Sequence, residues 1–260
     1  MKYAYHPKTL ENLCKLREAL LNDCRSESRI SLRAIVLGSL HGPLRKGEPS
    51  YFSNQCPRTF APKPDYAVRF WKEKHPTPPY VEIVDLIKRK AIQFLSELPT
   101  AVKGFIIQGN SMNKIPLPNG IKFSWVITSP PYYGMRTYIQ DQWLRAWFLG
   151  GNPNVPYGLN DGIIHNGAEN FVQQLSMIWN NVAKTCLHGA KLVCRFGGPN
   201  GNEDSPLAII KKSLKNTDWR IITVHSAGTA QNGKRQAVQF GERGNVEPRK
   251  EYDIYAILKA

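Results

Sequence analysis

The residues best placed to do chemistry stand together at Thr128-Ser129-Pro130-Pro131-Tyr132. A hydroxyl, a carbonyl and an aromatic ring fall within four consecutive positions. Two prolines fix φ and remove N–H donors, so the chain after Ser129 is stiff and cannot continue in a ladder. Such a turn can hold a flat polar group by its edge. Ser129 Oγ and the Pro130 carbonyl accept its hydrogens, and the Tyr132 ring stacks on its face. A serine hydroxyl is a poor general base, so its role is orientation rather than proton removal.

An apolar run, Phe123 to Ile127, leads directly into this turn. It is short and rich in β-branched and aromatic residues, which predicts a buried strand. The turn then lies at a strand's C-terminal end, the edge where ligands bind in open α/β sheets.

Around it the chain divides in two. Residues 1–100 read as helical. Leu10, Leu13, Leu16, Leu20 and Leu21 recur at helical spacing, and Ile30 to Leu40 repeats the pattern before Gly42-Pro43. Val81 to Leu98 predicts an amphipathic helix with Ile83, Leu86, Ile87, Ile92, Leu95 and Leu98 inward, and Pro99 marks a boundary. Residues 101–260 read as α/β. Strands are expected at Val102–Gln108, Phe123–Ile127, Lys191–Phe196, Trp219–Val224 and Tyr252–Leu258. Helices are expected at Tyr138–Leu149, Phe171–Cys186 and Pro206–Leu214, with Gly189 near a helix end. The Gly/Asn/Pro-rich stretch from Gly150 to Gly167 reads as a long loop, a candidate lid.

The chain has 260 residues, with 35 Lys and Arg against 20 Asp and Glu, a formal net charge of +15. That excess favours a polyanionic partner, nucleic acid first. Basic residues alternate with aromatics at Arg58, Phe60, Lys63, Tyr66, Arg69, Phe70 and Trp71, and further cations stand at Arg136, Lys234, Arg235 and Arg243. Cations for phosphates interleaved with rings for bases suit a nucleic-acid surface, and a helical core would use the same rings. The five cysteines are scattered, with no C-x-x-C pair, and the six histidines are scattered too. This predicts reduced, cytoplasmic usage rather than disulfides or a metal site. No run of 18 apolar residues and no secretory h-region are present, so neither a bilayer span nor a secretory signal is expected.

Thr-Ser-Pro-Pro-Tyr resembles the catalytic motif of the S-adenosylmethionine-dependent DNA amino-methyltransferases. The Ser form is associated with N4-cytosine enzymes, and Asp or Asn in its place with N6-adenine enzymes. The resemblance covers most of the chain, strongly from about 100 to 260, through the helix, His188-Gly-Ala-Lys-Leu-Val-Cys-Arg-Phe-Gly197, helix, strand, long loop and strand. Pro57 to Pro64 looks like an insert that some of these enzymes carry. The resemblance implies a partial Rossmann-like methyltransferase sheet with an N-terminal helical subdomain. It implies S-adenosyl-L-methionine as cofactor, with Asn110 and Thr128 facing it. It further implies a flipped base oriented by Ser129 and Pro130 and stacked on Tyr132, in DNA held by Arg58, Lys63, Arg69, Arg136, Lys234, Arg235 and Arg243.

One part of the family pattern is absent. The family binds its cofactor with a strand, a Phe-x-Gly-x-Gly turn, a helix and a second strand ending in an acid. Here no two glycines are separated by a single residue. In the family sheet the two missing strands lie between the segments matching Val102–Gln108 and Phe123–Ile127. The expectation is a split enzyme, in which a second polypeptide supplies the cofactor-binding half. The alternatives are an N6-adenine subunit, a fragment, and a non-catalytic nucleic-acid-binding subunit on a degenerate methyltransferase fold.

Overall fold

The structure, a computed structural model, describes residues 1–42, 49–54, 64–75, 77–97, 100, 102–133, 138–154, 163, 167–198, 205–229 and 250–259. The chain is mixed α/β and divides into two compact units. Met1–Val102 and Thr137–Leu159 form the first, Lys103–Arg136 and Asn160–Ala260 the second.

The first unit is helical: α1 (Pro7–Asn22), α2 (Glu27–Ser39), α3 (Pro64–Lys74), α4 (Ile83–Leu95), α5 (Tyr138–Asp141) and α6 (Trp143–Phe148). Pro7 opens α1 where its missing N–H costs nothing, and His6 caps it by accepting from Lys8 N. Ser26 caps α2 by accepting from Arg29 N. Leu13, Leu20, Val36, Trp71, Leu86, Trp143, Trp147 and Phe148 close one core. The buried Thr9 hydroxyl donates to the Val81 carbonyl and accepts from Val81 N, tying α1 to the entry of α4.

Two expectations change here. The expected helix over Tyr138–Leu149 is two short helices, parted at Gln142 by φ −100° and ψ 9°. Only the start of α4 is packed. Ile83 and Leu86 are buried, whereas Ile92 is 72% exposed and Phe94 and Leu95 are exposed too. The apolar stripe continues past the part of the helix that other described residues cover.

The second unit is a four-stranded sheet in the order β1-β2-β4-β3. Its strands are β1 (Phe123–Thr128), β2 (Cys186–Gly198), β3 (Trp219–Thr229) and β4 (Lys250–Leu258), with helices α7 (Ala168–Ala183) and α8 (Pro206–Lys215). Strands β1 and β2 are parallel, joined across α7, and β4 runs antiparallel to both β2 and β3. The last strand in the chain therefore lies inside the sheet.

Register assigns each residue to a face. The rows Val126–Leu192–Ala256–Ile221 and Thr128–Cys194–Ile254–Val224 lie on one side. Leu192, Cys194, Ile254 and Ala256 are buried there against Phe171, Leu175 and Trp179 of α7 and Ile209, Ile210 and Leu214 of α8. The indole N–H of Trp179 donates to Ser213 Oγ and that of Trp219 to the Trp179 carbonyl, so the polar edges of both rings are satisfied. The rows Trp125–Lys191–Ile257–Arg220 and Ile127–Val193–Tyr255–Thr223 lie on the other side, which no described helix covers.

Strand β1 is thus an edge strand rather than the expected buried one. Trp125 is 52% and Ile127 79% exposed. The expected strand at Val102–Gln108 does not form, and Val102 and Ile106 are almost fully exposed. A strand exists only by pairing, and no described strand lies beside this segment. Gly189 does not end a helix. Helix α7 stops at Ala183, and Gly189, at φ +75°, sits where β2 has extra residues between its pairings to Phe123 and Trp125. Its lack of a Cβ suits that left-handed position. No helix among the described residues is long and apolar enough to cross a membrane.

Candidate active site

The Ser129–Tyr132 turn leaves β1 at its C-terminal end, alongside β2, which runs on from Cys194, the partner of Thr128, to Gly198. Ser129 is exposed, while Pro130, Pro131 and Tyr132 are half-buried. The Tyr132 ring meets Phe196 edge-on, with centroids 5.6 Å apart and planes at 69°. Its hydroxyl donates to Glu251 Oε1 at 2.9 Å. Glu251 stands opposite Gly197 in the β2–β4 ladder. A Cβ at Gly197 would lie 3.0 Å from the Lys250 carbonyl oxygen and 3.1 Å from Tyr132 Cε2. Glycine at this position is therefore what lets the tyrosine approach the sheet. Tyr133 packs its ring on Phe171 at 5.3 Å, and a Cβ at Gly198 would lie 3.7 Å from the Tyr133 carbonyl oxygen.

Beside this cluster, on the uncovered face, Arg195 makes a two-pronged ion pair with Asp253, Nε to Oδ1 at 2.8 Å and Nη2 to Oδ2 at 2.7 Å. Hydrogen bonding to Arg195 holds the Asp253 carboxyl below its ordinary range, and the same bond raises the guanidinium. The Arg195 side chain is 44% and that of Asp253 20% exposed, so solvent screens the pair, which fixes geometry across β2 and β4 more than it adds stability.

Asn110 lies elsewhere. Its Oδ1 accepts from Met112 N at 2.9 Å within its own turn. Helix α7 grips that turn through Asn181, whose Nδ2 donates to the Met112 carbonyl at 2.6 Å. Asn181 is near the C-terminal end of α7, just before the residues that start β2. Phe123 N donates to the Thr185 carbonyl, so β1 begins at this same end. Ser129 leaves by the other end, about 20 Å away along a six-residue strand. Thr128 adjoins Ser129, so of the two residues expected to face the cofactor only Thr128 shares its site.

Arg69 is exposed on α3, with Nε on the Asp65 carbonyl, beside the stacked Tyr66 and Phe70 rings. Arg58, Lys63, Arg136, Lys234, Arg235 and Arg243 lie outside the described residues, as does most of Gly150–Gly167.

Glu251 and Phe196, the two residues that fix Tyr132, carry no local signal of that role in the sequence. Glu251 is an acid at the start of the last strand after a basic stretch. Only the insertion of that strand next to β2 brings it to the turn.

The chain contains no G-x-G turn, and the Asn110 amide oxygen is engaged within its own turn. Among the described residues no three His, Cys, Asp or Glu are grouped to hold a metal. Comparison of the chain with models of protein families, with curated proteins and with solved structures returns no match.

Proposed function

We propose that this chain is the acceptor-side subunit of a split, S-adenosylmethionine-dependent DNA amino-methyltransferase, its four strands forming part of a Rossmann-like sheet. The cofactor would be held by a second polypeptide. The observation that carries this reading is the rigid Ser129-Pro130-Pro131-Tyr132 turn at the C-terminal end of a parallel strand, with Ser129 open to solvent and Tyr132 braced by Glu251 and Phe196. A turn braced in this way is organised before any ligand arrives.

Its chemistry is positioning. The exocyclic amino group of a base delocalises its lone pair into the ring. Two acceptors, Ser129 Oγ and the Pro130 carbonyl, take its hydrogens, localise the lone pair and aim it. The amino proton leaves to solvent, and Ser129 keeps its own. A base inside a duplex cannot reach a sheet-edge turn, so it is flipped out. Neutral Ser129, in place of a carboxylate, favours cytosine N4 and so N4-methylcytosine. The +15 charge supplies attraction for the duplex.

A non-catalytic nucleic-acid-binding role is the second reading, and the absence of any G-x-G favours it. Two measurements separate them. By calorimetry the isolated chain should bind S-adenosylmethionine weakly or not at all. With its partner, DNA and labelled cofactor, nucleoside mass spectrometry should find the label in N4-methylcytosine. Stoichiometric micromolar binding by the chain alone refutes the split, label in N6-methyladenine changes the base, and no labelled nucleoside favours the second reading.

A further inference from the structure

We infer that the uncovered face of the sheet is a stacking platform for single-stranded nucleic acid, with Trp125 and Tyr255 taking bases and Lys191 and Arg220 taking phosphates. The inference goes beyond the acceptor-side reading, because it needs neither a cofactor nor methyl transfer.

The face is aromatic and cationic at once. Trp125, Tyr255 and Ile127 are exposed on it. Contiguous exposed apolar patches mark interaction sites. The register rows set cations among these residues. Lys191 lies between Trp125 on β1 and Ile257 on β4, and Arg220 follows Ile257 on β3. Beyond the Ile127–Tyr255 row, Arg195, Asp253 and His225 stand side by side. Lys191 Nζ is 4.8 Å from the Trp125 ring centroid, and the His225 ring meets Tyr255 at 5.6 Å with planes at 81°. Asp253 is the one acid in these three rows, and Arg195 already holds it. Lys191 and Arg220 have no carboxylate partner among the described residues. The face is therefore positive.

The position of Lys191 selects the occupant. A protein partner would bury the face, and the cores of protein interfaces are depleted in lysine. Lys191 stands inside the band, between Trp125 and Ile257, rather than at its rim. Burial under an apolar partner would strip its ammonium of water, with no acid of this face left to pair it. A nucleic-acid strand uses the same arrangement, with a ring for a base and a cation beside it for a phosphate. A four-stranded sheet with rings on its open face can stack two or three unpaired bases.

Stacking on a side chain needs the flat face of a base, which neighbouring pairs cover in a duplex. Trp125 and Tyr255 are two strands and two residues apart, about 12 Å by strand spacing. That is too far to clamp one base between them, so each ring takes its own. Ile127 lies two residues before Ser129, about 7 Å along β1. The platform thus runs up to the turn, and a base of an unpaired strand lying on it reaches Ser129 without leaving a duplex.

Fluorescence anisotropy on the full chain tests the platform. Labelled single-stranded DNA and RNA of about twelve nucleotides, and the DNA duplex of the same sequence, are compared at one salt concentration. A single strand should bind about tenfold tighter than the duplex, or more. Trp125→Ala and Tyr255→Ala should each weaken that binding by about fivefold or more, and Trp125→Phe should keep most of it. Lys191→Gln should lower the salt slope by about 0.7. Met177→Ala, at an exposed position of α7, should change nothing. Circular dichroism should be the same for every variant. Independently, strands carrying bromouracil are cross-linked to the wild-type chain by light, and the adducts should lie in the peptides that hold Trp125 and Tyr255. If an alanine variant unfolds, these adducts decide. Tight binding of DNA alone or of RNA alone names the strand and supports the inference. A duplex bound as tightly as a single strand, folded alanine variants with wild-type affinity, or adducts confined to other peptides overturns it. A chain that binds no single strand overturns it too, and leaves methyl transfer to its own assays. Absence of N4-methylcytosine in those assays would overturn the methyltransferase reading and leave this surface standing.

Discussion

Acid should weaken the helical unit through His41. Its ring is 3% exposed and meets Trp71 edge-on at 5.8 Å. Ser53 Oγ gives its one hydrogen to the Asn54 carbonyl, so in the 2.6 Å contact His41 Nδ1 must donate to Ser53. Nε2 is then a bare acceptor, buried without a hydrogen-bond partner. Protonation would add a buried charge and a donor with nothing to bond. Burial, helped by the Arg145 charge, pushes the His41 pKa down from 6.5 to about 3. The unfolded chain takes up this proton near pH 6.5 and the folded chain only near 3. Stability present above pH 6.5 is therefore lost as the pH falls toward 3. Between pH 7 and 5 the linkage removes about 2 kcal/mol. Urea denaturation at the two pH values, compared with His41→Asn, should show that variant losing about 2 kcal/mol less on acidification, whatever its stability at pH 7. Ring NMR of the folded wild-type chain should show no His41 titration above pH 5. A midpoint between 6 and 7, or equal acid losses in both proteins, would refute the tautomer and burial argument.

Gly197→Ala should destabilise the sheet unit by about 1–3 kcal/mol, because its Cβ meets a backbone carbonyl and the Tyr132 ring at once. An unchanged thermal midpoint would show that the tyrosine gives way freely. Ser129→Ala changes an exposed side chain, so it should leave stability within about 0.5 kcal/mol while methyl transfer by the assembled enzyme is lost. Tyr132→Phe keeps the ring on Phe196 and loses the bond to Glu251, for about 1 kcal/mol in denaturation. Tyr132→Ala should cost more, since the ring is packed and not free at a loop tip. DNA binding should weaken with salt, log affinity falling by about 0.9 per phosphate neutralised for each unit of log salt, and a flat gel-shift response would remove the electrostatic argument.

Much of the fold was legible because local rules decided it. Leucine spacing and the His6-Pro7 start gave α1, and the Phe123–Ile127 run before two prolines gave β1 and its turn. What sequence could not give was neighbourhood. Whether β1 is buried depends on what lies beside it, and its composition reads the same either way. Val102–Gln108 has strand composition but no described strand to bond. Glu251 reaches Tyr132 only because the last strand inserts beside β2, an order that no periodicity encodes. Asn110 was placed by its position before the motif, yet its turn is bonded to the far end of α7.

The β1 edge, beside which no described strand lies, also sets a limit on how much of this chain a cell can carry unaccompanied. An uncovered strand with Trp125 and Ile127 beside it pairs with whatever edge it meets, so self-association rises with copy number. A partner that binds only the folded form would hold that population down by mass action. For a chain that works with such a partner, synthesis in matched amounts and rapid proteolysis of any surplus become conditions of tolerating it at all.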